Sequence, residues 1–165
     1  MAKINKISIQ GFKSIKNLTN FELSSGLNIF IGANGAGKTN LISYFKFLNS
    51  IINERMQITI KKNGGASKIL YNGLKVTASF HSEVYFDNNG YIFTLEPTQS
   101  SSLIFMDEIV YFSGHYGPSN AYIGKSNDET KLLSHKGTGW KNTTVHDFVL
   151  IYTRKQPGFP HQFQG

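Results

Sequence analysis

The sequence predicts an α/β lobe in which a strand, a glycine-rich loop and a helix are followed by an antiparallel β meander. Three observations carry that prediction. A compact apolar run, residues 27–31 (LNIFI), leads directly into the glycine-rich stretch 32–39. Apolar residues then recur at helical spacing from Leu41 to Ile52. From residue 56 onward the pattern changes to short segments of strand character divided by Asn-Gly turn signals. The implied division is a core over 1–55, an antiparallel β portion of the same lobe over 56–155, and an irregular tail over 156–165.

Residues 3–10 (KINKISIQ) alternate with Ile7 and Ile9 on one face, which predicts a first strand ended by Gly11. Residues 12–25 read as a turn and a second short strand. LNIFI lacks alternation, as expected of a strand buried on both faces. After the loop, Leu41, Tyr44, Phe45, Leu48, Ile51 and Ile52 mark one face of an amphipathic helix of about 17 residues. Strand character follows near 57–60, 74–81, 83–87, 91–95 and 103–112, with turn signals at Asn63-Gly64-Gly65, Asn72-Gly73 and Asn88-Asn89-Gly90. Asn89-Gly90 is the strongest hairpin signal. Residues 129–134 predict a helical turn and 144–153 one further element. Pro157 and Pro160 disfavour regular structure near the end.

Composition narrows the classes of function. The chain has 165 residues, 39% of them hydrophobic and 16% charged, which describes a globular domain able to bury a core without disulfides or metals. It has no cysteine, which excludes thiolate zinc sites, iron–sulfur clusters and cysteine nucleophiles. No apolar run reaches the ~18 residues of a membrane span, and the N-terminus lacks the apolar core of a signal peptide. A cytoplasmic address with no membrane partner is therefore expected. The net charge of +7 is concentrated early: residues 1–50 hold six lysines against Glu22 alone. Such a bias suits an anionic partner, either phosphate or non-specifically bound DNA.

Gly32-Ala33-Asn34-Gly35-Ala36-Gly37-Lys38-Thr39 fits G-x-x-x-x-G-K-[ST], the phosphate-binding loop. Each position has a physical task. Gly32, Gly35 and Gly37 permit backbone angles and close approach that a Cβ forbids. The loop can then turn its N–H groups inward around phosphate oxygens, and the helix that follows directs its own open N–H groups to the same anion. Lys38 adds a point charge for the β/γ-phosphates. The Thr39 hydroxyl is a hard oxygen ligand suited to Mg²⁺. The fold class that results is a P-loop NTPase N-terminal lobe with an appended antiparallel meander.

The stretch IQGFKSI…FELSSGLNIFIGANGAGKTNLISYFKFL resembles the N-terminal half of an ABC-class ATPase head domain of the SMC, RecF and OLD type. The G-F-K-S-I opening at Gly11–Ile15, the loop with Asn34 and Asn40, and the aromatic helix carry the likeness. Later segments (GGASKILYNG, YIFTLEPTQSSSLIFMDE, DETKLL) are similar to stand-alone AAA-family ATPases of bacteria. The resemblance implies ATP and Mg²⁺ as cofactors, hydrolysis of ATP, and dimerisation around the nucleotide. It implies that Asn34 lies beside the γ-phosphate and its attacking water, and that Lys13 approaches the nucleotide. Such heads also carry an S-G-G signature and a downstream Asp-Glu pair. No S-G-G occurs here, so the lobe reads as an incomplete head. A second copy or a partner chain would supply the rest.

Asp107-Glu108 follows four apolar residues and mimics the Walker B pair that holds Mg²⁺ and orients water. Ile109-Val110-Tyr111-Phe112 continue the strand pattern beyond it, however, which favours an acidic step within an antiparallel strand. Gln99 reads as a loop residue. His81, His115, His135, His146 and His161 show no ligand spacing, and Ser134, His146 and Asp147 form no recognisable triad. Tyr111, Tyr116 and Tyr122 are candidate surface contacts. Three readings stay open: an ATP-hydrolysing lobe, a nucleotide-binding partner or remnant without turnover, and a basic nucleic-acid-binding module.

Overall fold

In the computed structural model, residues 3–114 and 117–135 are described, and the predicted element at 144–153 and the tail lie outside them. The chain runs β1 (Ile4–Phe12), β2 (Ile15–Glu22), α1 (Lys38–Ile52), α2 (Met56–Lys62), α3 (Ala66–Ile69), β3 (Phe80–Phe86), β4 (Asn89–Pro97), β5 (Leu103–Gly114) and β6 (Gly117–Gly124), then a 3-10 turn at Leu133–His135. The six strands form one sheet in the order β2-β1-β3-β4-β5-β6, and every pairing is antiparallel.

One face of the sheet carries the core. Ile7 and Ile9 of β1, Phe80, Val84 and Phe86 of β3, Tyr91, Phe93 and Leu95 of β4, and Leu103 and Phe105 of β5 are buried there. The two-residue period of a strand puts each set on one side. Against it α1 packs Tyr44, Phe47, Leu48, Ile51 and Ile52. An aromatic chain ties the layers together. The Phe12 ring centroid lies 5.9 Å from Tyr44, 5.8 Å from Phe47 and 5.1 Å from Phe80, and Phe80 continues to Phe93 at 5.5 Å. The opposite face holds Lys6, Gln10, His81, Glu83, Tyr85 and Thr94, with Tyr85 edge-on to Tyr111 at 5.6 Å.

Gly11 does not end β1. The strand continues to Phe12 with Gly11 at φ +81°, and a Cβ there would collide with the Ser79 carbonyl oxygen. The glycine lets the chain beside β1 pass at backbone distance, where Tyr71 N–H donates to the Gly11 carbonyl at 2.9 Å.

Residues 57–60 are helical, not extended. Met56 and Ile60, four apart, are both buried, so one helical turn satisfies the core. Glu129, distant in sequence, caps the helix: its carboxylate accepts from Met56 N–H at 3.0 Å and Gln57 N–H at 2.9 Å. Gly65 N–H closes the other end on the Ile60 carbonyl at 2.9 Å. These contacts override the β-branched content of the segment. Of 74–81 only Phe80 and His81 join a strand, because the positive φ of Gly73 starts a turn there instead. The β3–β4 hairpin turns at Asp87-Asn88, with Asp87 at φ 51°, while Asn89 and Gly90 already pair with Phe86 and Tyr85.

The apolar run 27–31 forms no strand. Leu27, Ile29 and Ile31 are 82%, 71% and 93% exposed, and Phe30 alone leans on the sheet, stacked on Phe21 at 6.1 Å. No strand edge among the described residues reaches this segment, so its backbone groups have no ladder to join.

Gly11→Ala is expected to lower the unfolding free energy by more than about 2 kcal/mol, because it adds backbone strain and a clash. Glu129→Ala should cost about 1 kcal/mol through loss of the helix cap. Urea unfolding monitored by circular dichroism gives both as shifts in midpoint at constant slope.

Candidate functional site

The position of the glycine-rich loop follows from α1. Tyr44, fully buried, fixes the helix by its ring on Phe12 and by a 2.7 Å hydrogen bond between its hydroxyl and Ser82 Oγ. Burial pushes the Tyr44 phenol well above its ordinary range, so it stays neutral and keeps that bond. The N-terminus of α1 is thereby held at the rim of the sheet.

Gly37 is the residue preceding the helix, at φ 89°, with no side-chain cap and no acidic residue in the first turn. The first backbone bond of this end runs from Leu41 N–H to the Gly37 carbonyl at 3.0 Å. The N–H groups before it have no helical acceptor, and their partial positive charge is uncompensated by a carboxylate. Gly35 also has positive φ, at 87°. Ala36 N–H closes a turn on the Ala33 carbonyl at 3.2 Å, with Asn34 and Gly35 at its centre. A Cβ on Gly32 would lie 3.3 Å from Ala36 Cβ and 3.9 Å from Lys38 Nζ, filling the loop's concavity. Lys38 Nζ folds back on the loop and donates to the carbonyl oxygens of Gly32 and of Ala33, the latter at 2.7 Å. Thr39 is exposed beside it.

These features fit a phosphate group: a small backbone concavity, positive-φ glycines, an open helix N-terminus and one ammonium. Thr39 fits a single hydroxyl ligand to Mg²⁺. Gly32 through Thr39 are contiguous in this arrangement, and Asn40 faces the neighbouring β1–β2 turn. Asn40 Nδ2 donates to Ser14 Oγ at 2.6 Å, and Ser14 also borders Gly37. Ser14 is a contact that the sequence reading did not single out. Its signal was its place directly after Lys13 in the G-F-K-S-I opening. Lys13 itself sits at φ 48°, its N–H bound to the Ile69 carbonyl at 2.8 Å and its Nζ 5.8 Å from the Phe12 ring centroid. Partial burial and then the neighbouring Lys46 lower its ammonium pKa.

Asp107 and Glu108 lie inside β5, as an acidic step in an antiparallel strand. A bulge controls which of them faces inward. Thr94 pairs with Asp107 but Leu95 pairs with Phe105, so Met106 is an extra residue. Leu103 and Phe105 face the core before it, and Glu108 and Val110 after it. Glu108 is fully buried and engaged. It accepts from Tyr91 Oη at 2.6 Å, from Thr130 Oγ1, and from Lys131 N–H at 2.9 Å. Its donors come from β4 and from the strap 127–132. Gln99 is exposed in the β4–β5 turn. His81 bonds Thr94 and Glu83, Tyr122 is exposed, and no cluster of metal-ligating side chains occurs among the described residues. Ser134 is described, whereas His115, Tyr116, His146, Asp147 and His161 lie outside the described residues. A groove of about 600 Å³ lies elsewhere, on the other sheet face between Lys6, Glu22, Tyr85 and Tyr111.

Residues 6–110 match the AAA domain family, and the chain belongs to that family. Its N-terminal part is also similar to part of structural maintenance of chromosomes proteins. The chain is 28% identical over 92 residues to a structural maintenance of chromosomes protein 3 homolog of Plasmodium falciparum. It is 31% identical over 99 residues to the chromosome partition protein Smc of Desulfitobacterium hafniense, and 32% over 106 residues to structural maintenance of chromosomes protein 3 of Dictyostelium discoideum. These matches cover 56%, 56% and 59% of this chain but only 7%, 8% and 7% of the relatives.

Burial raises the Glu108 pKa, and the three hydrogen bonds, with the charge of His135, only partly oppose that. The folded state therefore holds this proton to higher pH than the unfolded chain does. The stability this confers is complete below the ordinary carboxylate range and is lost as pH rises through the raised value. Unfolding free energies of wild type and Glu108→Gln, measured across acidic to neutral pH, should show the wild type losing ground relative to the variant through that window. A difference independent of pH would disprove the assignment.

Proposed function

We propose that the loop Gly32–Thr39 binds ATP–Mg²⁺ and that the chain acts as the N-terminal lobe of an ATP-hydrolysing head. The observation that carries this reading is the concavity closed by Lys38 against Gly32 and Ala33 at an uncapped helix N-terminus. Membership of the AAA domain family supports a nucleotide as the ligand. Loop N–H groups and Lys38 would hold phosphate oxygens, and the Thr39 hydroxyl would ligate Mg²⁺. The metal would supply charge neutralisation between the phosphates. Asn34, exposed at the centre of the Ala33–Ala36 turn, would face the terminal phosphate.

On this reading the described residues hold no hydrolytic apparatus of their own. Glu108 is committed to Tyr91, Thr130 and Lys131. The exposed run Leu27–Ile31 leads straight into the loop, and burial of each of its large apolar side chains would be worth roughly 1.5–3 kcal/mol. A second lobe, from a partner chain or a second copy, would cover it and bring the metal-binding and water-orienting acids.

Saturating ATP–Mg²⁺ should raise the melting temperature, with a stabilisation of about 2.7 kcal/mol at a hundredfold excess over Kd. Lys38→Ala should abolish the shift, and an equal shift in that variant would exclude the loop as the site. ATP turnover by the chain alone should stay near background and be unchanged in Glu108→Gln. Robust turnover that Glu108→Gln eliminates would show that Glu108 is catalytic after all.

A further inference from the structure

The chain has four Asn-Gly steps: Asn34-Gly35, Asn63-Gly64, Asn72-Gly73 and Asn89-Gly90. This dipeptide is chemically labile. The glycine nitrogen can attack the asparagine side-chain carbonyl carbon, because no Cβ blocks its approach. A new C–N bond closes a five-membered succinimide, and the side-chain nitrogen leaves as ammonia. Water then opens the ring at one carbonyl or the other, giving aspartate or isoaspartate. Water is the only co-reactant. The reaction needs a glycine N–H free of hydrogen bonds, a side-chain amide free to rotate, and an exposed, compliant backbone.

Three of the four steps are locked. Gly64 N–H donates to the Lys61 carbonyl at 3.1 Å, and Asn63 Nδ2 donates to the Thr59 carbonyl at 2.7 Å. Gly73 N–H donates to the Leu70 carbonyl at 3.1 Å. Asn89 is buried, and Asn89-Gly90 is paired on one side with Phe86 and Tyr85 and on the other with Phe112 and Tyr111. Asn34-Gly35 has none of these locks. Both residues are exposed at the centre of the Ala33–Ala36 turn, and among the described residues neither the Gly35 N–H nor the Asn34 side chain makes a hydrogen bond. A loop of this kind moves more readily than the elements it joins.

We propose that Asn34 is a site of spontaneous amide-to-acid conversion that switches off the phosphate cradle of the same loop. The second half of this statement rests on the reading of the loop as a phosphate site. The product adds a negative charge to the crest of the loop, close in sequence to Lys38, and that charge repels phosphate oxygens. The isoaspartate form also adds one methylene to the backbone path and moves the loop N–H groups out of register. Bound nucleotide would oppose the reaction, since a Gly35 N–H donating to phosphate is no longer free to attack.

The test ages the full chain at mildly alkaline pH, with and without ATP–Mg²⁺, and follows each Asn-Gly peptide by mass spectrometry. Asn34 should convert at least several-fold faster than Asn63, Asn72 and Asn89, and ATP–Mg²⁺ should slow Asn34 alone. The ATP-induced melting shift should decline with age in step with conversion of Asn34, and should be lost in freshly made Asn34→Asp. Conversion at Asn34 no faster than at the other three would overturn the modification site. If Asn34 converts fastest while Asn34→Asp still gives the wild-type shift, the switch is overturned and the phosphate site stands. If it converts fastest and the wild type shows no ATP shift even when fresh, the phosphate reading falls and the switch with it.

Discussion

The seat of α1 on the sheet is the constraint from which the rest of the site follows. Tyr44 meets Phe12 through its ring and Ser82 through its hydroxyl, so a single side chain fixes both the depth and the rotation of the helix. Phe47, Leu48 and Ile51 extend that contact along the same face. The loop before the helix makes few contacts of its own, yet its end cannot wander from Gly37. Positioning a loop by a rigid scaffold is the usual way to combine precision with an accessible backbone. The β1–β2 turn contributes from the other side through Ser14 and Asn40, so strand pairing and helix packing meet at the same place.

Two carboxylates organise the far end of the sheet, and each acts on a segment distant in sequence. Glu129 supplies the cap that Arg55, the residue before α2, cannot supply. Glu108 is turned inward by one bulge residue and receives the strap through Thr130 and Lys131. Burial of a carboxyl without such partners would be costly. Here the donors come from β4 and from the strap, so the group specifies which segment lies over the sheet end. Gln57 strengthens the same junction by donating to the carbonyl oxygens of Leu103 and Asp128.

Much of this was legible in the sequence. The alternation of β1, the helical period of α1 and the strand character within 83–87, 91–95 and 103–112 are local signals, and a strand or helix forms over each of them. Glycine spacing and Lys38 marked the loop without any tertiary information. What escaped was set by contacts distant in sequence. The helix α2 depends on Glu129, and nothing within 56–62 announces that cap, although the buried pair Met56 and Ile60 and the Gly64-Gly65 stop were visible. The inward turn of Glu108 depends on a register shift between β4 and β5, which strand periodicity alone cannot encode. Ser14 matters only because the β1–β2 turn folds against α1.

The run Leu27–Ile31 sets the sharpest contrast between pattern and environment. Its sequence is that of a strand buried on both faces, and its position directly before the loop is where such a strand would steady the phosphate site. In the folded lobe Phe30 stacks on Phe21 and Asn28 bonds Ser24, while Leu27, Ile29 and Ile31 are exposed. Apolar exposure of this kind is unfavourable in a free chain. On the proposed reading, covering this run and completing the site are one event, because the segment that gains a strand partner is the segment that enters the loop. Phosphate binding and lobe association are then linked, each favouring the other to the same extent in free energy. The exposed Asn34-Gly35 step sits between them, on backbone that both events would immobilise.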